Sequence, residues 1–342
     1  MHFFSKLFRR LTRLSNEFIF IVAAAFVSGS SFLIYLLEPD TFGSPFNGFW
    51  WVMTTVTTVG YGDFYPHTAA GKCLGILLYI FGISFISIAI SKAIDSILIY
   101  RRKREEGLLQ YTGEQHFVMI DWSKHSSLAI QEILNSDPRV EVVLIADLEK
   151  TPIPHERVHY IRGNPVQKST LDLANLAKAK AVFIFADETT QQQHFIRDTS
   201  FVDGKTLLIA TSIERFYAHV YTIVEIKDRE NIHNFTHVKV NEFILGTEIV
   251  SQIAVRSAFN PGASKLVSQL LSWQGEDLYE IRKKPHWSTY RDAFEELLAH
   301  GATLLSDGEQ MNINRRLDET IADNSRLFVV CDKDTYLKLL KA

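Results

Sequence analysis

Charged residues are missing from two long stretches of the chain. Residues 18–37 contain no Asp, Glu, Lys or Arg over 20 positions, and residues 73–91 contain none over 19 positions. A helix rises about 1.5 Å per residue, so each stretch spans about 30 Å, the thickness of the hydrocarbon core of a bilayer. A buried core helix is the alternative, but two such stretches with basic ends around one short loop favour membrane helices.

Basic residues flank the outer ends of both stretches. They are Lys6, Arg9, Arg10 and Arg13 before the first, and Lys92, Arg101, Arg102, Lys103 and Arg104 after the second. The loop between the stretches begins instead with Glu38 and Asp40. Because Lys and Arg concentrate in cytoplasmic loops, the sequence predicts a protein of the plasma membrane with both termini cytoplasmic. Residues 1–16 are predicted to form an interfacial helix, and the first stretch is too long for a cleaved signal peptide.

The segment between the two spans contains a short apolar run and then a glycine-containing run. Residues 46–57 are too short to cross a membrane, and with Pro45 before them they predict a re-entrant helix. The next run, 58–62, places irregular backbone at membrane depth, which is tolerated only inside packed protein or along a water-filled path. Gly60 and Gly62 allow dihedrals of alternating hand, so that successive carbonyl oxygens turn towards one axis and replace the hydration shell of a cation.

This run resembles the selectivity filter of the potassium-channel family. The matching filter residues are Thr58, Val59, Gly60, Tyr61 and Gly62, and the matching supporting residues are Trp50, Trp51 and Asp63. The resemblance implies that K+ is the permeant ion and that it binds at Thr58, Val59, Gly60 and Tyr61, with the Thr58 hydroxyl adding an oxygen at the inner end. It also implies a homotetramer, because one chain supplies a quarter of the ring.

One position departs from the family pattern. Thr54 stands where some members carry a glutamate that pairs with the aspartate after the filter. This removes a potential partner of Asp63, and by analogy the indole N–H of Trp51 is the donor that remains.

Gly82 lies midway along the second span, twenty residues after Gly62. Glycine weakens a helix interior by roughly 0.5–1 kcal/mol, and in two-span channels a glycine at this place is the hinge of the inner helix. Close packing is the alternative, since small residues are enriched at membrane helix interfaces, and Gly75 is assigned to such packing. There is no helix of repeated arginines, so no voltage sensor of the usual kind is predicted.

The pattern changes after a polar linker. Short β-branched apolar runs alternate with segments of helical spacing, which predicts a parallel sheet covered by helices on both faces. The apolar segments 205–212 and 221–226 are predicted to continue the sheet. Residues 242–272 are predicted to form one or two long helices with a break at 260–262, and residues 276–342 to form a smaller α/β unit.

The predicted fold class is an α-helical two-span membrane pore domain plus a cytoplasmic α/β Rossmann-like domain with a smaller α/β C-terminal lobe. The soluble half resembles the regulator-of-K+-conductance (RCK) domain, related to TrkA-N and TrkA-C, most strongly over 116–190. The predicted domains are the pore at 1–99, a linker at 100–114, the RCK N-lobe at 115–245, connecting helices at 246–273 and the RCK C-lobe at 274–342.

The resemblance implies that a ligand or ion on the RCK domain gates the pore, but the residues do not identify it. A dinucleotide site needs glycines after the first strand, and the turn at 121–126 is Asp-Trp-Ser-Lys-His-Ser. Some relatives bind Ca2+ through carboxylates after the fourth strand and on a later strand, yet Lys227 stands where a further carboxylate is needed. Neither a nucleotide nor Ca2+ is well supported. The candidate regulatory residues are Asp121, Asp147, Asp187, Glu188 and Glu225.

These features predict a potassium-selective channel, passively conducting K+ under the control of a cytoplasmic ligand, and not an enzyme. The alternatives are a non-conducting, membrane-tethered nucleotide or ion sensor, and an NAD-binding, membrane-anchored oxidoreductase that lacks a fingerprint and a catalytic pair. Membrane lipids and additional soluble RCK subunits are the further expected partners, and nucleic acid is not. The linker contains no methionine at which a soluble subunit could start. The two cysteines, Cys73 and Cys331, lie far apart and on opposite sides of the predicted topology, so neither a disulfide nor a cysteine metal site is predicted.

Overall fold

The computed structural model describes residues 16–186, 188 and 198–340. The chain forms two compact units, Met1–Lys103 and Arg104–Ala342, and each is described by itself. The predicted interfacial helix lies outside the described residues, apart from Asn16, which begins the first helix.

The first unit is helical. Two of its segments, Phe20–Leu37 and Ala69–Glu105, are long and apolar enough to cross a membrane, which confirms the two predicted spans. The elements are α1 (Asn16–Leu37), α2 (Pro39–Phe42), α3 (Pro45–Val56), α4 (Ala69–Leu77), a π-helical turn (Leu78–Gly82) and α5 (Ile83–Glu105).

Helix α5 extends beyond the predicted end of the second span at residue 99. It continues to Glu105 because the added residues are mostly Arg, Lys and Glu, which are strong helix formers. Gly107 then takes a φ of +70°, a left-handed conformation that commonly follows a helix end. The first part of the predicted linker is therefore helical.

Helix α3 is the short helix predicted between the spans. The side chain of Ser44 accepts a hydrogen bond from the backbone N–H of Asn47, and Pro45 occupies the first turn, where its missing N–H costs nothing. Gly48 lets α3 approach α1 closely, since a Cβ there would collide with the carbonyl oxygen of Ser31. The buried apolar residues of this unit form one cluster: Ile34, Phe42, Trp51, Val52, Val56, Leu74 and Leu78.

A parallel sheet forms the N-lobe of the second unit. Its order in the described residues is β3-β2-β1-β4-β5-β6. Val118 and Ile120 belong to the apolar cluster on one face and Met119 to the cluster on the other, so both faces are covered as predicted. The strands are β1 (Phe117–Ile120), β2 (Val142–Ala146), β3 (Val158–Arg162), β4 (Ala181–Ile184), β5 (Tyr221–Glu225) and β6 (Glu242–Ile244). The helices are α6 (Lys124–Ser136), α7 (Lys168–Leu173), α8 (Thr199–Tyr217), α9 (Gly246–Phe259) and α10 (Ala263–Leu270), with 3-10 turns at Leu176–Lys178 and Arg229–Phe235.

The prediction that residues 205–212 continue the sheet is wrong, because they lie within α8. The local run of apolar residues is typical of a strand, but burial follows the helical period. Val202, Thr206, Ile209 and Ile213 are buried at spacings of three and four, which is the inward stripe of a helix.

The C-lobe is a smaller α/β unit, as predicted, and its sheet is antiparallel with the order β7-β9-β8. Trp287, Tyr290 and Leu297 fill its core against the sheet. The elements are β7 (Asp277–Arg282), α11 (Tyr290–Ala299), β8 (Thr303–Asp307), a 3-10 turn (Ile313–Arg315), β9 (Arg326–Cys331) and α12 (Lys333–Leu339).

Candidate functional site

The backbone after α3 alternates in hand along the predicted filter. Thr58, Gly60 and Gly62 have φ values of +61°, +57° and +76°, whereas Val59 and Tyr61 keep negative values. Glycine adopts this region freely, but for a residue with a side chain it costs roughly 1–2 kcal/mol. The left-handed conformation of Thr58 is not evident from its residue type.

The hydrogen bonds of this run leave its carbonyl groups open. Among the described residues, no hydrogen bond ends on a carbonyl oxygen of residues 58–62. The N–H groups of Val59 and Gly60 both donate to the carbonyl oxygen of Thr54, at 2.9 and 3.1 Å. The run is thus fixed through its N–H groups, while its carbonyl oxygens are free to serve as cation ligands.

Trp50 is the donor to Asp63, and the expectation that Trp51 takes this role is wrong. The indole Nε1–H of Trp50 donates to Oδ2 of Asp63 at 2.7 Å, and its ring stacks on Tyr61 with centroids 5.7 Å apart. Trp51 points the other way, because successive helix residues lie about 100° apart. It is buried against Phe42, with ring centroids 5.6 Å apart.

Glu38 joins the end of α1 to the start of α4, a role that was not predicted from the sequence. Its buried carboxylate accepts hydrogen bonds from Thr41 and from the backbone N–H groups of His67 and Thr68, and the Thr68 hydroxyl donates a further bond at 2.6 Å. Burial acts to raise the pKa of Glu38, but these bonds outweigh it and hold the pKa at about 2. An acidic residue directly after an apolar span was the available signal.

Gly82 packs closely against α3. A Cβ at this position would lie 2.7 Å from Cγ2 of Val56, so any side chain requires the Val56 side chain or one of the two elements to shift. Gly82 also ends the π-helical turn, and such turns often occur at functional sites. At Gly75 a Cβ would lie 3.8 Å from the Trp51 ring, which is an ordinary contact. The tighter packing therefore belongs to Gly82, the predicted hinge.

The candidate regulatory acids follow the carboxyl ends of the parallel strands, where ligands bind in open α/β sheets. Asp187 lies outside the described residues. The others are each bonded to a base: Asp121 to Lys205 at 2.6 Å, Asp147 to Arg162 at 3.3 Å, and both Glu188 and Glu225 to Lys227 at 3.2 and 3.0 Å. The structure brings Glu188 and Glu225 together, and Asp147 pairs separately with Arg162 of β3.

The turn after β1 is closed by the chain's own side chains. Ser123 caps α6 by accepting the N–H of Ser126, and the Ser126 hydroxyl accepts the N–H of Ser123. In dinucleotide-binding domains the N–H groups at this helix start meet a pyrophosphate. Within the described ranges, no group of three or more His, Cys, Asp and Glu residues is arranged to hold a metal ion.

Comparison with known proteins places these features in a family. The family described as Ion channel matches residues 20–98, and the calcium-activated potassium channel slowpoke-like RCK domain matches residues 137–224. YugO of Bacillus subtilis, which is named as a potassium channel protein, is 30% identical over 80% of this chain and 82% of its own length. The chain belongs to the potassium channels that carry an RCK domain.

Other similar proteins are more distant in sequence. The protein TvoK of Thermoplasma volcanium, named as a calcium-gated potassium channel, is 24% identical over 77% of this chain and 73% of its own length. The solved GsuK channel aligns with 95% of this chain at 15% identity and a TM-score of 0.49, and the chain spans 57% of that structure's length. Because the chain belongs to the potassium channels with an RCK domain, it is a membrane-embedded ion channel and not the oxidoreductase that was considered from the sequence.

Proposed function

We propose that four copies of this chain form a K+-selective pore in the plasma membrane, with both termini in the cytoplasm and conduction controlled through the RCK domains. The observation that carries the proposal is the run 58–62, with φ of alternating hand and carbonyl oxygens that accept no hydrogen bond among the described residues. Four such runs around one axis supply rings of oxygen ligands for K+. Trp50 and Asp63 support the run from its outer side.

The test is ion flux into liposomes that contain the purified channel. Rb+ and K+ uptake should exceed Na+ uptake by well over tenfold, and equal Na+ uptake contradicts the proposal. A membrane-tethered sensor that does not conduct gives no uptake of either ion.

A matched pair of glycine variants ties the flux to the filter. Gly60→Ala forces a side chain into a φ of +57°, although no atom lies near its Cβ, whereas Gly29→Ala adds a methyl group to helical backbone with nothing within 4 Å. The strain of roughly 1–2 kcal/mol in each of four chains should abolish selective uptake for Gly60→Ala. Gly29→Ala should conduct like the unmodified channel.

The controlling ligand is proposed to act at the carboxyl edge of the parallel sheet. TvoK is named as calcium-gated, and this makes Ca2+ the first ligand to test on the reconstituted channel, with nucleotides second. The edge is supported as the place of control by its polar residues, which come from the ends of β1, β4 and β5.

A further inference from the structure

The carboxylates of Glu225 and Glu188 share one buried ammonium group. Nζ of Lys227 lies 3.0 Å from Oε1 of Glu225 and 3.2 Å from Oε1 of Glu188, and only a tenth of the lysine side chain is exposed. The two acids come from different segments, since Glu225 ends β5 and Glu188 follows β4. The lysine therefore connects two segments that would otherwise repel each other.

The other carboxylate oxygen of Glu225 is also bonded within the domain. Oε2 accepts the backbone N–H of Ala186 at 3.0 Å and lies 3.2 Å from Nδ1 of His125. Glu225 is only 4% exposed, so its charge must be compensated by these groups. A single carboxylate thus joins β5, the segment after β4 and the start of α6.

The backbone of Lys227 is held in place independently of its ammonium group. The buried carboxylate of Asp203 on α8 accepts the N–H groups of Lys227 and Asp228, at 2.9 and 3.1 Å, and the side-chain amide of Asn231 at 2.7 Å. Burial acts to lower the pKa of the Lys227 ammonium, but the two glutamates outweigh it and the pKa lies above its usual value. The group stays charged and fixed between its partners.

We infer that Lys227 is a tethered cation that takes the place of a soluble divalent cation between Glu188 and Glu225, so that this part of the RCK domain is closed without a ligand. A divalent cation needs several oxygen ligands together, and an ammonium group on a fixed backbone excludes it by charge and by volume. Lys227 is then the residue that keeps Ca2+ out of the position between Glu188 and Glu225. Ca2+ binding at this position can be measured whether or not the RCK domain controls conduction. The inference depends on the proposed control by the RCK domain only when ion flux is measured.

The test replaces the tethered cation by a third carboxylate. Lys227→Glu places three glutamates together and should bind Ca2+ with a dissociation constant of about 10 µM to 1 mM. The full-length channel in detergent is titrated with Ca2+ by calorimetry, and its thermal unfolding midpoint is followed in parallel. The midpoint should be lower than that of the unmodified channel without Ca2+ and should recover when Ca2+ is added.

Three controls make the result specific. Lys227→Arg keeps the positive charge and should gain no site, and Lys227→Glu combined with Glu225→Gln should bind Ca2+ more weakly than Lys227→Glu, because one of the three carboxylates is lost. Lys284 is a matched lysine of the C-lobe, with 14% of its side chain exposed and its Nζ 3.0 Å from Glu296. Since Glu296 is the one glutamate bonded to Lys284 in the described part of the chain, Lys284→Glu should gain no Ca2+ binding.

Two results would overturn the inference. One is Ca2+ binding by the unmodified channel that Glu225→Gln removes, because the lysine would then not exclude the ion. The other is a folded Lys227→Glu channel without Ca2+ binding. If Lys227→Glu does not fold, Lys227→Gln keeps both glutamates and must show weak Ca2+ binding, and its failure counts equally against the inference. Binding is measured without conduction, so a failure of the flux test leaves this result interpretable.

Discussion

Gly82 combines two properties at one residue, since it ends a π-helical turn and leaves no room for a side chain against Val56. A hinge depends on the backbone freedom of glycine, whereas packing depends only on its small volume. The two roles therefore respond differently when space is created beside the residue.

We expect Gly82→Ala to lower the open probability and leave ion selectivity unchanged, because the added methyl group stiffens the inner helix. The decisive comparison is Gly82→Ala combined with Val56→Ala, which removes the methyl groups that the new Cβ would meet at 2.7 Å. A hinge predicts that the double variant stays mostly closed in single-channel recordings. Recovery of normal gating in the double variant assigns Gly82 to packing, and Val56→Ala alone is the control.

The left-handed backbone of Gly60 and Gly62 in the proposed filter was predictable from the sequence, because glycine adopts this conformation freely. The donor to Asp63 was not, because Trp50 and Trp51 are adjacent and chemically identical. Only the rotation of α3 decides that Trp50 faces the filter and Trp51 the core. In the sequence, Thr54 was distinctive because it replaces the glutamate of some relatives. In the structure, its backbone carbonyl oxygen accepts hydrogen bonds from the N–H groups of Val59 and Gly60.

At the scale of elements, the segment after α5 is docked on the N-lobe sheet through two histidines. Nε2 of His159 lies 2.7 Å from the carbonyl oxygen of Leu109, and the Tyr111 ring contacts His116 and His159 with centroids 4.4 and 5.4 Å away. The Tyr111 hydroxyl donates to Glu141 at 2.5 Å. This segment connects the second membrane helix to the parallel sheet of the RCK domain.

Both histidines are held neutral in the docked state. Burial lowers the pKa of His116, whose Nε2 bonds the Ala174 carbonyl oxygen and whose buried Nδ1 has no partner among the described residues. Burial also lowers the pKa of His159, and the nearby charge of Arg104 lowers it further. The charge of Glu141 acts in the opposite direction on both but is outweighed.

Docking of this segment should therefore weaken as the cytoplasmic pH falls. A released histidine has a pKa of about 6.5 and binds a proton there, whereas the docked histidine does not. The stabilisation is fully present above that pH and is lost as the pH falls below it. Hydrogen exchange of the amides of 107–116 in the full-length channel, compared at about pH 7.5 and 5.5, should show faster exchange at the lower pH after correction for the intrinsic rate.

Substitution by glutamine tests the cause, because its amide can donate to the same carbonyl oxygens without titrating. The combined variant His116→Gln and His159→Gln should flatten the pH dependence. His219 also bonds a backbone carbonyl oxygen, at 2.8 Å, but it is exposed. His219→Gln should leave the profile unchanged, and a pH dependence that survives the double substitution contradicts the prediction.

Element types were predictable where burial follows one clear period. The parallel strands are mostly apolar along their length, and this pattern was sufficient to predict them as strands buried on both faces. The prediction for residues 205–212 failed because a short apolar run fits a strand and a buried helix equally well. Only the spacing of the buried residues from Val202 to Ile213 distinguishes the helix from a strand. Docking of the linker was not predictable, since it depends on His159, which is remote in sequence.

At the scale of the whole molecule, α9 and α10 have no buried residue within one chain. Val250, Phe259 and Leu266 are between 61% and 75% exposed. Large exposed apolar side chains on two successive helices are typical of an interface. We propose that the RCK domains pair through these helices, either in an arrangement of four domains or in a ring of eight completed by a separate gene product.

We expect the purified channel to give a single band of the full-length chain on a denaturing gel. If a separate gene product completes the ring, a second band should appear whose sequence differs from that of this chain. The linker has no methionine, and Met119 lies inside β1, so a start there would remove part of the sheet. A band with the sequence and mass of residues 105–342 contradicts this and reveals internal initiation.

Pairing of RCK domains through α9 and α10 can be tested with two apolar residues that are equally exposed. Phe259 in α9 and Met311 in a C-lobe loop are 75% and 74% exposed. Phe259→Asp should lower the assembly mass or thermal stability of the channel, while Met311→Asp should change neither. Equal behaviour of the two variants places the interface elsewhere.

The bridge between Lys227 and its two glutamates also has a consequence for the evolution of this site. Lysine codons differ from glutamate codons only in their first base, so a single base substitution would exchange the tethered cation for a third carboxylate. Asp203 holds the backbone at this position through N–H groups, which are the same for both residues. A lineage of such channels could therefore gain or lose dependence on a soluble ion in one mutational step, without rebuilding the surrounding strands.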